Sequence, residues 1–152
     1  MKYLIIICVL LLNIWSCTVE EQGSTESLLI NNTEHQIKII GYQKGSKQEL
    51  KNLAPQETVV VLKMHVLGKT IYPNFGTMLQ PFDWIEVVYD SKDTIVHQRF
   101  NSQSQSGIPY TNIRNLTNPN NYIKAITEET KHSITGYFSY TFTEQDYLNA
   151  KQ

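Results

Sequence analysis

Imidazole binds metals and moves protons near neutral pH, so the four histidines of this 152-residue chain, His35, His65, His97 and His132, are the first place to look for chemistry. Their spacing argues against a metal. No two lie close in sequence, and none has a cysteine or a carboxylate pair at ligand spacing. Solvated or hydrogen-bonded histidines are therefore expected, with no metal and no other cofactor. His97 alternates with Ile95 and Arg99, which suits a half-exposed strand face. Asp83 and Glu86 lie three apart, and on a strand that odd spacing places them on opposite faces, so they cannot work as a carboxylate pair without a bulge. Glu86 instead shares a face with Phe82, Trp84 and Val88, either as a buried acid or at an edge. No glycine-rich phosphate loop follows a strand, and no serine sits in a G-x-S-x-G elbow. No catalytic residue is assigned.

Recognition has more to work with. Residues 82–89 (FDWIEVVY) and 94–100 (TIVHQRF) form two strands joined by Asp90-Ser91-Lys92-Asp93, a hairpin turn. One long loop, residues 68–81 (GKTIYPNFGTMLQP), enters the first strand, and another, residues 101–119, leaves the second. Both must begin at the end opposite the turn. They bring Tyr72, Asn74, Phe75, Tyr110, Arg114 and Asn115 towards one rim, where aromatic rings, amides and an arginine could recognise a glycan or a protein. The alternative is that these aromatics fold back over an open end of the core.

The other feature is at the start of the chain. After Met1-Lys2, residues 3–12 (YLIIICVLLL) are almost wholly apolar. A helix of that length covers about 15 Å, half of a bilayer core of about 30 Å. That suits the apolar part of a secretion signal over residues 1–16, against the alternative of a buried N-terminal segment. The stretch stops at Cys17 and turns acidic (TVEEQ). Ile14-Trp15-Ser16-Cys17 resembles the bacterial lipobox in the looser form of Bacteroidota-type lipoproteins. That resemblance implies a diacylglyceryl group on the Cys17 thiol, with cleavage making Cys17 an acylated N-terminus, and several acyl chains anchor a protein far better than one. The alternative is an ordinary signal peptide followed by a free cysteine. Cleavage also removes Cys8, and a lipidated Cys17 then leaves the mature chain no thiol for a disulfide or a metal.

Removing residues 1–16, Lys2 among them, leaves 136 residues and moves the formal charge from −1 to −2. That length suits one domain able to bury a core without staples. The basic residues are few and scattered, so no nucleic-acid partner is expected. Residues 17–27 (CTVEEQGSTES) hold one large apolar residue, Val19, and are expected to be a flexible tether, with the domain over residues 28–152.

From there the pattern is β. Residues 28–31 and 37–42 flank the turn-forming Asn31-Asn32-Thr33-Glu34. Residues 58–67 (TVVVLKMHVL) are rich in β-branched side chains and read as buried on both sides over residues 59–62. Residues 134–143 alternate cleanly, with Ile134, Gly136, Phe138, Tyr140 and Phe142 on one face. Residues 122–132 fit helix and strand equally well, and no internal repeat is evident. Thr143 is an N-cap candidate for a short helical turn over residues 147–150. Six or seven strands imply a mostly β chain: a single antiparallel β-sandwich, Ig-like or similar, with a short C-terminal helix, or else a small open barrel.

Asp93-Thr94-Ile95 matches the three-residue pattern used for O-glycosylation in Bacteroidota, which nominates Thr94. Asn31-Asn32-Thr33 and Asn115-Leu116-Thr117 match the eukaryotic N-glycosylation sequon. The lipobox, the β pattern and the closing YFSYTFTEQDYLNA together are similar to small uncharacterised lipoproteins of Bacteroidota. The resemblance implies an outer-membrane lipoprotein of the cell envelope, with the acidic Glu20-Glu21 favouring display outside the cell over a periplasm-facing position. The expected function is a non-catalytic binding or accessory module, its partners the membrane through the lipid and a protein or glycan. An envelope enzyme acting on glycan or peptide and a structural subunit of a surface assembly are the alternatives.

Overall fold

A computed structural model describes residues 20–73, 75–79, 81–100 and 107–152. Two four-stranded sheets face each other. One has the order β4-β1-β8-β7 and the other β3-β2-β5-β6. Their strands are β1 (Gln22–Asn32), β2 (Ile37–Gln43), β3 (Ser46–Leu53), β4 (Thr58–Leu67), β5 (Trp84–Tyr89), β6 (Asp93–Gln98), β7 (Ile123–Glu129) and β8 (Ser133–Thr143). Two short helices complete the described chain, α1 (Phe75–Leu79) within the β4–β5 connection and α2 (Glu144–Ala150) after β8. The sheets share no strand, so this is a sandwich and not a barrel. Among the described residues every pairing between these strands is antiparallel except one: β1 and β8 run parallel at the centre of the first sheet.

The core follows from period-two patterning on these inner strands. Leu29, Ile37, Ile39, Leu53, Ile85, Val87 and Tyr89 are fully buried, and Phe138, Tyr140 and Phe142 join them from β8. Each points inward because strand neighbours alternate faces. Gly136 keeps that periodicity but has no side chain for a packing reason: a Cβ there would collide with the Ala125 carbonyl and with Ile71.

Several expectations change. β1 starts at Gln22, so the tether expected over residues 17–27 gives up residues 22–27 to the domain. Those residues look like a tether because their inward positions are small: Gly23, Thr25 and Ser27 are all buried, Thr25 at 4% and Ser27 at 1% exposure. β3 was not expected at all. It lies at the margin of its sheet, holds only Leu53 buried, and is lysine-bearing in the way that edge strands resist further pairing. It joins β2 through Lys44-Gly45, both with positive φ, the geometry of a two-residue hairpin turn. The ambiguous residues 122–132 contain β7. The expected β5–β6 turn is present, with Asp90 and Ser91 at positive φ and the Lys92 N–H donating to the Tyr89 carbonyl at 2.9 Å.

The C-terminal helix forms as expected from Thr143. The Asp146 carboxylate accepts from the Thr143 N–H at 2.7 Å and its hydroxyl at 2.9 Å, closing the first turn of α2. His35 packs on this helix, its ring stacked 3.5 Å from that of Tyr147.

Candidate functional site

The two long connections do begin at one end of the sandwich. Trp84 and Gln98, where β5 starts and β6 stops, are directly paired, and Asp90 lies at the other end. What they build there differs from an open recognition rim. Phe75, placed at the rim by its sequence position, is 2% exposed on α1, and Ile71 and Leu79 beside it are buried too. The first loop therefore plugs the space between the sheets, since apolar side chains at that density gain more from the core than from water. Tyr72 does stay outside, at 55% exposure. Asn74 lies outside the described residues, as does Cys17.

The second loop is held by asparagines at every third position. Asn112, Asn115, Asn118 and Asn121 each donate their backbone N–H to the carbonyl three residues earlier, a run of tandem turns from Pro109. The side chains of Asn112, Asn115 and Asn118 each accept from the N–H two residues on. Asn115, expected at the recognition rim, is fully buried. Its amide donates to the Gln98 and Ile108 carbonyls at 2.9 Å, and its oxygen accepts from the Thr117 N–H at 2.8 Å and hydroxyl at 2.7 Å. Asn31 repeats the device, accepting from both donors of Thr33 and donating to the carbonyls of His35 and Ala54. Both N-x-T sequons are thus spent on internal structure.

Arg114 is likewise an internal tie. Its Nε donates to Asp146 Oδ1 at 2.9 Å, its Nη2 to Oδ2 and to the Thr141 carbonyl, and its guanidinium lies 5.1 Å from the centre of the Tyr140 ring. Burial alone would lower its pKa, but the bound carboxylate outweighs that and the net shift is upward. Tyr110 is half-buried, its ring edge-on to Phe100, which is 67% exposed. Of the six rim residues, Tyr72 and Tyr110 retain surface, while Phe75, Arg114 and Asn115 serve packing.

The histidines do not meet. His97, expected on a half-exposed face, is 3% exposed, because Ile108 bridges to it and the loop covers it. Its Nδ1 accepts from the Leu116 N–H at 2.9 Å, which leaves the proton on Nε2. Burial lowers its pKa from 6.5 to about 4. Because the folded pKa lies below the unfolded one, the unfolded chain binds the extra proton across that window. Stability should therefore be full above pH 6.5 and fall towards pH 4 by about 1.4 kcal/mol per unit, about 3 kcal/mol in all. Urea unfolding at pH 7 and pH 4.5 checks this, and His97→Asn, which retains an acceptor, should flatten the dependence.

His35 Nδ1 sits 2.6 Å from Asp90 Oδ2, and that hydrogen bond holds the Asp90 carboxyl below its usual pKa. Its Nε2 is 3.6 Å from Glu144, so the ring ties two turns to α2. Asp83 and Glu86 are separated as expected. Asp83 accepts from the Lys44 N–H at 2.7 Å and fixes the β2–β3 turn. Glu86 is half-exposed on the outer sheet face, where its carboxylate beside the Tyr42 hydroxyl raises the pKa of that phenol. Tyr42 and Trp84, paired across β2 and β5, stack there with centroids 5.0 Å apart. Thr94 is exposed on β6, one residue past the turn.

Among the described residues no group of three His, Cys, Asp or Glu could hold a metal, and no helix is long and apolar enough to cross a membrane. The chain matches no protein-family model, no curated protein and no solved structure. Sequence spacing could have found the asparagine ladder, since N-x-x-N recurs over residues 112–121. The Tyr42–Trp84 pair needed the β2–β5 register, which no local pattern supplies.

Proposed function

We propose that this chain is a lipid-anchored lipoprotein of the bacterial outer membrane whose sandwich acts as a non-catalytic binding or accessory module for a protein or glycan. The observation that carries this reading is the geometry where the chain enters the fold. The Glu21 carbonyl accepts from the Gly68 N–H at 2.8 Å, so Glu21, four residues after Cys17, is already paired into the fold. Four extended residues span at most about 14 Å. An acylated Cys17 would hold this end of the sandwich against the bilayer. Leu67, paired with Gln22, is 81% exposed at that end. Apolar side chains suit the headgroup boundary.

The partner would then meet the exposed outer faces of the sheets. The outer face of β2 and β5 offers the stacked Tyr42 and Trp84 with Glu86 beside them, the mixture of rings and hydrogen-bonding groups that recognition surfaces favour. The acidic Glu20-Glu21 supports display outside the cell. Protease treatment of intact cells tests both parts. Loss of the domain, with a periplasmic marker intact, is expected for wild type; Cys17→Ala should release the protein from the membrane fraction. A domain protected until the outer membrane is breached would overturn display, and unchanged attachment of Cys17→Ala would overturn the anchor.

One observation favours a second reading, a structural subunit of a surface assembly. Among the described residues β7 is the last strand of its sheet, and Ile123 and Ile126 on it are 68% and 48% exposed. An open apolar edge can add a strand from a neighbour. Concentration-dependent mass in solution, lost in Ile123→Lys, would support it.

A further inference from the structure

The side of the sandwich between β3 and β4 holds an open cavity of about 160 Å³. Its floor is Ile39 and Phe75, both buried, and its walls are Leu50, Val60, Val61 and Met78. Two β-bulges make it. The β2–β3 register shifts between Ile39 and Ile40, and the β1–β4 register shifts between Ser27 and Leu28. Each leaves one extra residue, Leu50 on β3 and Val61 on β4, and those extra residues lie on the cavity wall. Bulges bend the strand that carries them and recur beside binding sites. Here two of them, on facing margins of the two sheets, prise the sandwich open.

The remaining lining residue is Lys51. It is paired with Ile39, whose side chain is wholly buried between the sheets, and residues directly opposite on paired strands share a face. Lys51 therefore projects inward, towards the slot. The neighbouring lysine and glutamate of this sheet are matched to each other, Lys38 with Glu49 at 3.1 Å, and Lys51 has no ion-pair partner among the described residues. An ammonium at an apolar slot is best served by an anion.

We propose that this slot binds a small carboxylate with a single-ring or branched aliphatic body. An apolar cavity of about 150 Å³ takes up benzene, so one ring fills this one, and the slot is too small for a larger ligand. The apolar body sits between Phe75, Val60, Val61 and Met78, whose flexible thioether adapts to its shape, and the carboxylate meets Lys51. The site is independent of the lipid anchor, and it gives the binding module a small-molecule ligand in addition to a macromolecular one. An inward lysine on an edge strand also discourages edge pairing, and that role alone requires no ligand.

The test is a titration of the full chain in detergent with sodium phenylacetate, following the methyl resonances of Leu50, Val60, Val61 and Met78. Phenylacetamide and benzylamine, of matching shape, control for partition into the micelles. Millimolar binding of phenylacetate is expected, at least tenfold tighter than either control. Lys51→Met, which keeps the apolar stem, should weaken phenylacetate to the level of the amide, and Val61→Phe should fill the slot and abolish binding. Absence of saturable shifts, equal binding of acid and amide, or unchanged affinity in Lys51→Met would each overturn the proposal and leave Lys51 as edge protection only.

Discussion

Replacing Asp146 with alanine should lower the free energy of unfolding by about 3 kcal/mol. The carboxylate is nearly buried, with its side chain 7% exposed, and it serves two roles. It accepts two hydrogen bonds from Arg114 and two from Thr143, one to the backbone and one to the hydroxyl. Removing one partner of a buried ion pair costs about 3–5 kcal/mol because the other charge is stranded. Arg114 has a side chain 34% exposed, so water recovers part of that loss. Loss of the helix cap adds about 1 kcal/mol. The two variants should rank clearly: Arg114→Met leaves the carboxylate its Thr143 donors and should cost less than Asp146→Ala. Urea denaturation measures both. A loss under about 1 kcal/mol for Asp146→Ala would mean that the loop and α2 are not coupled through this pair.

Asn115→Ala should be comparably damaging, by about 3–4 kcal/mol. Four hydrogen bonds end on this fully buried amide, and they join the end of β6, the Ile108 bridge and Thr117. Alanine removes all four bonds, each worth about 0.5–1.5 kcal/mol; it strands the buried Thr117 N–H, while the Gln98 carbonyl keeps the Thr117 hydroxyl and the Ile108 carbonyl keeps the Gln98 N–H. Asn115→Asp should be worse still, since it turns an acceptor charge against the Gln98 and Ile108 carbonyls. Thr117→Val removes only the hydroxyl's bonds and should cost about 1 kcal/mol. Thermal unfolding of the three variants checks the order. Melting of Asn115→Ala at the wild-type temperature would contradict the loop's role as a fixed closure.

These residues also show where sequence reading reaches its limit. β2, β5 and β8 were legible because burial writes a period of two into them, and Thr143-Glu144-Gln145-Asp146 announced its own helix start. β4 showed itself through its β-branched side chains and β6 through the turn before it, but β4 is not buried on both sides over residues 59–62: it lies at the margin of its sheet, and Val60 is 40% exposed. The first turns of β1 were not legible. Gly23, Thr25 and Ser27 face the interior opposite bulk that fills the space for them, so the buried face carries no apolar signature. β3 hid for the opposite reason, since a margin strand with one buried residue has almost no inner face to read. For the candidate site, the topology of the hairpin correctly set both long loops at one end. It could not say which way their side chains turn, because that depends on partners elsewhere in the chain: Asp146 for Arg114, the Gln98 and Ile108 carbonyls for Asn115 and the core for Phe75. The cavity at Lys51 depends on two bulges in different sheets, and neither bulge leaves a local sequence signal.

Those internal ties explain the shape of the molecule, but its role turns on Cys17. The most direct measurement is the mass of the N-terminal peptide of the protein extracted from membranes. The lipid-anchor reading predicts a peptide that begins at Cys17 and carries a diacylglyceryl group with its acyl chains. A peptide that begins at Met1, or one that begins at Cys17 with a free thiol, would contradict it.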